Sequence, residues 1–171
     1  MYRTKTYIAG DWDGDQKVIE QLYKWNESNY WSLDFSDAHK LKQSRDTSLP
    51  CTIKRSLHER LEASKTFVLV VGDHTKNLTK GSCQFCDSYN HYSGYCAKGY
   101  SASLESFIEY ECRYADDYDL KTVVIYDATF VDREKCPDRV RYKGTHIPAY
   151  NRFGYGSDWN YERIKNSIMN R

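Results

Sequence analysis

The sequence predicts an α/β fold of flavodoxin-like layout, a three-layer sandwich with a central parallel sheet of four or five strands flanked by helices. Apolar runs of strand length alternate with stretches of helical period along the chain, the pattern of βαβ units. The run Thr66-Phe67-Val68-Leu69-Val70-Val71-Gly72 is apolar without interruption, as in a strand covered on both faces. A length of 171 residues, 40% of them hydrophobic and 15% aromatic, suits one domain with its own core. The chain is therefore read as a single domain over residues 1–171.

Residues 4–10 form the first strand, which ends in the polar run Asp11-Trp12-Asp13-Gly14-Asp15. Val18, Ile19, Leu22 and Tyr23 recur at helical spacing after it, with Asp15 near the N-terminus of that helix. Residues 30–35 read as a short second strand and residues 36–49 as a polar connection. Pro50 opens the next helix, where Ile53, Leu57 and Leu61 make a stripe, and the apolar strand 66–72 follows. Residues 73–100, rich in Gly, Ser, Tyr and Cys, are read as an insertion; a loop this long in a compact domain is usually functional or stapled. A helix over 101–118, a strand at 123–126 and a last helix over 158–169 complete the alternation.

Charge and motifs exclude several function classes. With 25 basic against 24 acidic side chains the chain has no general attraction for a polyanion, which argues against nucleic acid or an acidic membrane surface. No stretch approaches the roughly 20 apolar residues of a membrane span, and no leader pattern is present at residues 1–7, so the expected compartment is the cytoplasm. With no GxxxxGK[ST], no GxGxxG after the first strand, no GxSxG and no HExxH, a P-loop ATPase, a classical dehydrogenase and an α/β-hydrolase are disfavoured. A site is expected at the C-terminal strand ends, where open α/β sheets bind ligands: residues 10–15, 35–37, 72–75 and 127–129.

The helix over 101–118 carries an anomaly. Leu104, Phe107, Ile108, Cys112 and Ala115 form one apolar stripe, and Glu111 falls at its centre. A carboxyl group there needs hydrogen bonds or a salt bridge from a neighbouring element, or else it borders a cleft and acts there as a catalytic group. Spacing alone leaves both readings open.

Residues 7–15 (Tyr-Ile-Ala-Gly-Asp-Trp-Asp-Gly-Asp), 52–57 through 67–72, and Phe107-Ile108-Glu109-Tyr110-Glu111 before Val123-Val124-Ile125-Tyr126 resemble the bacterial TIR-like proteins related to the Thoeris anti-phage component ThsB. The likeness extends over most of residues 4–150. It implies a TIR-like fold in which an aromatic residue stands four positions before a catalytic glutamate of an NAD-cleaving site. Phe107 and Glu111 hold those places, with Phe107 where the family more usually has Trp. The resemblance further implies that the first strand-to-helix loop, Ala9, Gly10, Asp11 and Trp12, lies at the nucleotide. NAD is then the substrate, a cyclic ADP-ribose-type signal the product, and a messenger-activated effector protein the indirect partner; a homo-oligomer is a further expectation. A non-catalytic TIR module acting by homotypic assembly has the same fold and stands as the alternative.

Two loop features have bland and sharp readings. Asp11, Asp13 and Asp15 could bind a divalent cation, although such a cluster beside a helix start more often caps and turns the chain. Cys83 and Cys86 have CxxC spacing, and Cys96 or His91, with another ligand such as Cys112, could complete a structural zinc site. The other readings of the same cysteines are a disulfide and free thiols.

Overall fold

The computed structural model describes residues 5–11, 13–29, 33, 49–153 and 156–169. Its centre is a parallel sheet of four strands, β1 (Lys5–Ala9), β2 (Ser64–Val71), β5 (Lys121–Tyr126) and β6 (Thr145–Pro148), in the order β1-β2-β5-β6. Tyr7 pairs with Phe67, Phe67 with Thr122, and Val124 with His146. The other described elements are helices α1 (Gln16–Glu27), α2 (Pro50–Glu62), α3 (Phe107–Asp117) and α4 (Tyr161–Met169), three single-turn 3-10 helices and two short antiparallel hairpins. One hairpin, β3 (Tyr89–Asn90) and β4 (Tyr95–Cys96), lies inside the long insertion; the other, β7 (Tyr150–Phe153) and β8 (Gly156–Trp159), precedes α4.

Strand alternation divides the core into two layers. Tyr7, Ala9, Phe67, Leu69, Val71, Val124 and Tyr126 face one side, where Leu57 and Leu61 of α2 and Ile108, Cys112, Tyr114 and Ala115 of α3 cover them. Ile8, Val68, Val70, Val123, Ile125 and Ile147 face the other, against Val18, Ile19 and Leu22 of α1 and Ile164 and Ile168 of α4. The expected three-layer α/β sandwich is thus the observed one, and its described sheet has four strands. Among the described residues no helix is long and apolar enough to cross a membrane.

Several element boundaries differ from expectation. Helix α3 begins at Phe107 rather than residue 101 because Ser106 caps it: Ser106 Oγ accepts from Glu109 N at 3.2 Å and Glu109 Oε2 accepts from Ser106 N at 2.7 Å. Leu104, placed on the helical stripe by its spacing, therefore lies before the helix and is 56% exposed. Helix α4 starts at Tyr161 because residues 156–159 pair as a strand with 150–153. Strand β6 has no counterpart in the expected element order, and the strand expected at residues 30–35 lies, apart from Leu33, outside the described residues.

Candidate functional site

Helix α3 carries two glutamates with opposite surroundings. Glu109 is exposed and its carboxylate closes the capping box, whereas Glu111, two positions on, turns into the layer between α3 and the sheet and is 3% exposed. There Tyr7, wholly buried on β1, donates its hydroxyl to Glu111 Oε1. Burial pushes the Glu111 pKa up to about 8; the Tyr7 hydrogen bond and the charge of Arg60 on α2 act in the opposite direction. Cys112 beside it is also fully buried, and burial holds its thiol well above the ordinary range. The carboxyl on the apolar stripe is thus satisfied by a neighbouring element and enclosed, rather than open to a cleft.

The segment between β2 and α3 packs against this layer and against the start of α3. Leu78 packs on the core, and Gly81 lies flat on the Phe107 ring with φ at +94°, where an added Cβ would come within 2.4 Å of that ring. Phe107 N donates to Lys80 O at 2.9 Å. Farther along, Cys83 N donates to Ser103 O at 2.9 Å and Ser103 N donates to Cys83 Sγ at 3.3 Å. Lys54 of α2, 4% exposed, fastens the end of the segment: its ammonium donates to Ser103 O at 3.1 Å, Ser103 Oγ at 3.0 Å and Glu105 O at 2.5 Å. Burial pulls the Lys54 pKa below its usual value. A polar cleft of about 240 Å³ opens at the N-terminus of α3, lined by Lys76, Ser82, Gln84, Leu104, Ser106 and Glu109 among others. Phe107 stands one turn of α3 before Glu111, on the same face.

The expected nucleotide loop is divided by the sheet. Ala9 shares the α3 layer with Tyr7, and Phe107 packs on that same layer. A Cβ on Gly10 would instead meet Ile19 and Val70 on the opposite side at 3.1 and 3.2 Å. Trp12 lies outside the described residues. Asp11, Asp13 and Asp15 form a turn: Asp13 N donates to Asp11 Oδ1 at 3.2 Å and Asp11 N to Asp15 Oδ2 at 3.3 Å. Asp15 does not cap α1 with its side chain. It is buried and joins the ends of β1 and β2 by accepting from Thr75 Oγ1 at 3.2 Å, while Thr75 Oγ1 accepts from Gly72 N at 2.8 Å. Gly72 leaves the space this carboxyl occupies, since a Cβ there would sit 1.8 Å from Asp15 Oδ1. Burial raises the Asp15 pKa to about 6 against these hydrogen bonds, with Asp11 and Asp127 adding to the rise.

Among the described residues, no group of three or more His, Cys, Asp or Glu side chains is placed to hold a metal ion, and all six cysteines are free. Cys83 is buried and held by Ser103, Cys86 and Cys96 are half-buried, and His91 packs edge-on against Tyr89 at 5.0 Å between ring centroids. The segment is fastened by Lys54 and by backbone hydrogen bonds.

Tyr7, Lys54 and Thr75 carry no role in the sequence expectations, yet each had a signal. Tyr7 alternates with Ile8 on a buried strand, so its hydroxyl needs a partner on the layer opposite Ile8. Lys54 stands three residues before Leu57 and seven before Leu61, on the apolar face of its helix. Thr75 lies in residues 72–75, one of the C-terminal strand ends at which a ligand site was expected.

Residues 7–80 match the family model described as Thoeris protein ThsB, TIR-like domain. The matched stretch runs from β1 through β2 into the covering segment, and α3 with Glu111 follows it. No curated protein matches the chain. With a parallel sheet between two helical layers and this match over residues 7–80, the chain is similar over that stretch to the TIR-like domain of the Thoeris protein ThsB.

Proposed function

We propose that this protein is a TIR-like NAD-cleaving enzyme, an NAD glycohydrolase or ADP-ribosyl cyclase, with Glu111 as its catalytic residue and a cyclic ADP-ribose-type signal as its product in bacterial anti-phage defence. That signal would activate a separate effector protein. The observation that carries the reading is the position of Glu111 on the sheet-facing side of α3, one turn after Phe107 and on the same layer as Ala9, in a chain whose residues 7–80 match the ThsB TIR-like model. Burying a carboxyl with a single hydrogen-bond partner costs stability, and such perturbed carboxyls concentrate at functional sites.

The chemistry suits a single carboxylate. The bond between ribose C1′ and the pyridinium nitrogen breaks with its electron pair going to nitrogen, so nicotinamide leaves neutral and needs no general acid. The positive charge moves to an oxocarbenium-like ribose, which a carboxylate in a dry site stabilises strongly. Water then captures C1′, or an atom of the same nucleotide does so to close the ring. With its pKa near 8, Glu111 is mostly neutral at pH 7 in the enclosed state, and the positive charge of an arriving nicotinamide ring favours its ionised form. Access requires Phe107 and the covering segment to move aside, starting from the cleft at the N-terminus of α3.

The enclosure of Glu111 itself favours a second reading, a non-catalytic module that signals by homotypic assembly and keeps Glu111 as a buried structural group. Mass spectrometry of the products after incubation with NAD separates the two. Turnover by the wild type and loss of at least a hundredfold in Glu111→Gln supports the enzyme. An assembly module would self-associate equally well with either residue and leave NAD intact.

A further inference from the structure

The geometry points to Tyr7 as the positioning residue of this site: its hydroxyl holds Glu111 Oε1 in one orientation and favours the carboxylate form that the ribose requires. This rests on the reading of Glu111 as catalytic and adds a residue to it. Three observations converge on Tyr7. It is wholly buried in the middle of β1, and its ring stacks on Phe67 at 6.1 Å with an interplanar angle of 21°, so the hydroxyl is aimed by packing rather than by a flexible stem. It reaches Glu111 across 104 residues of sequence, joining the first strand to the helix that bears the carboxyl. The strand that carries it also places Ala9, expected at the nucleotide, on the same layer.

The charged and titratable surroundings of Glu111 set the sign of the effect. From β1 comes the Tyr7 hydroxyl, and from α2 the guanidinium of Arg60; both favour the ionised carboxyl. On α3 the buried Cys112 thiol adjoins it, facing Cys136, whose thiol burial also pushes up, to about 11. Burial opposes ionisation and outweighs the rest. Removing the hydroxyl therefore moves the Glu111 midpoint upward, and a reaction that needs the carboxylate loses rate at neutral pH.

The test is the pH profile of NAD cleavage by the wild type, Tyr7→Phe and Glu111→Gln. Tyr7→Phe keeps the ring and its stack on Phe67. It is expected to shift the midpoint of the rising limb up by about one pH unit and to lower kcat about tenfold at pH 7, with KM little changed. Incorporating 3-fluorotyrosine at position 7 keeps the hydroxyl as a stronger donor and is expected to move the midpoint down. A Tyr7→Phe profile identical to wild type, with Glu111→Gln inactive, overturns the role of Tyr7 and leaves Glu111 standing. Full activity in Glu111→Gln overturns the reading beneath it. Titrating the Glu111 carboxyl by carbon NMR in wild type and in either Tyr7-altered protein reads the same shift without turnover, and an unmoved midpoint overturns the proposal.

Discussion

Glu111 is a carboxyl group inside an apolar layer, and its protonation is coupled to folding. Its pKa rises on folding from about 4.5 to about 8, so the folded state favours the neutral form. The stabilisation relative to the ionised form is fully present below about pH 4.5 and is lost as pH rises through 8. Asp15, raised to about 6, acts in the same direction over a lower range. Denaturant unfolding should show wild-type stability falling by roughly 4 kcal/mol more than that of Glu111→Gln between pH 4.5 and pH 8. Parallel curves for the two proteins would mean that Glu111 is hydrated and ionised in solution. Glu111 was legible in the sequence because helical period alone puts it on the apolar stripe. Its tyrosine partner was not, since no local pattern pairs β1 with a helix a hundred residues later.

At the scale of elements, Lys54 and Gly81 hold the segment from β2 to α3 against the helical layer. Lys54→Met keeps the apolar stem of the side chain but leaves Ser103 O, Ser103 Oγ and Glu105 O without their donor. A loss of about 2 to 3 kcal/mol is expected, with hydrogen exchange accelerated over residues 97–106 more than in the sheet. Uniform exchange across the domain would contradict this fastening. Gly81→Ala combines a positive φ with overlap on the Phe107 ring and should destabilise by at least about 2 kcal/mol in thermal melts; an unchanged melt would show that the segment does not press on α3. Unbroken apolar runs made β2 and β5 readable, and the short run Tyr7-Ile8-Ala9 before the polar stretch 11–15 marked β1. Strand β6 was not, because Thr145-His146-Ile147-Pro148 is short, ends in proline and buries little beyond Ile147. The start of α3 was obscured by a helical period continuing through Leu104, although Ser106 and Glu109 spelled out the capping box.

For the molecule as a whole, near-equal numbers of acidic and basic residues leave function to placement rather than net charge. The sheet brings Tyr7 and Ala9 together with α3 on one layer and turns Gly10 toward the other, so the loop that the resemblance implied would lie at the nucleotide is split between two faces. That division follows from the two-residue period of a strand and was readable only once the partner helix of each face was known. The same topology places Asp15 and Thr75 as a latch between the ends of β1 and β2, where open α/β sheets bind ligands. On the proposed function, this enclosed architecture cleaves NAD through Glu111. It is tested most directly by quantifying NAD, nicotinamide and ADP-ribose products by mass spectrometry during phage infection of cells producing either the wild type or Glu111→Gln. NAD loss with release of nicotinamide and an ADP-ribose product is expected in the wild type alone. Equal NAD loss in both, or intact NAD in both with defence preserved, would contradict it.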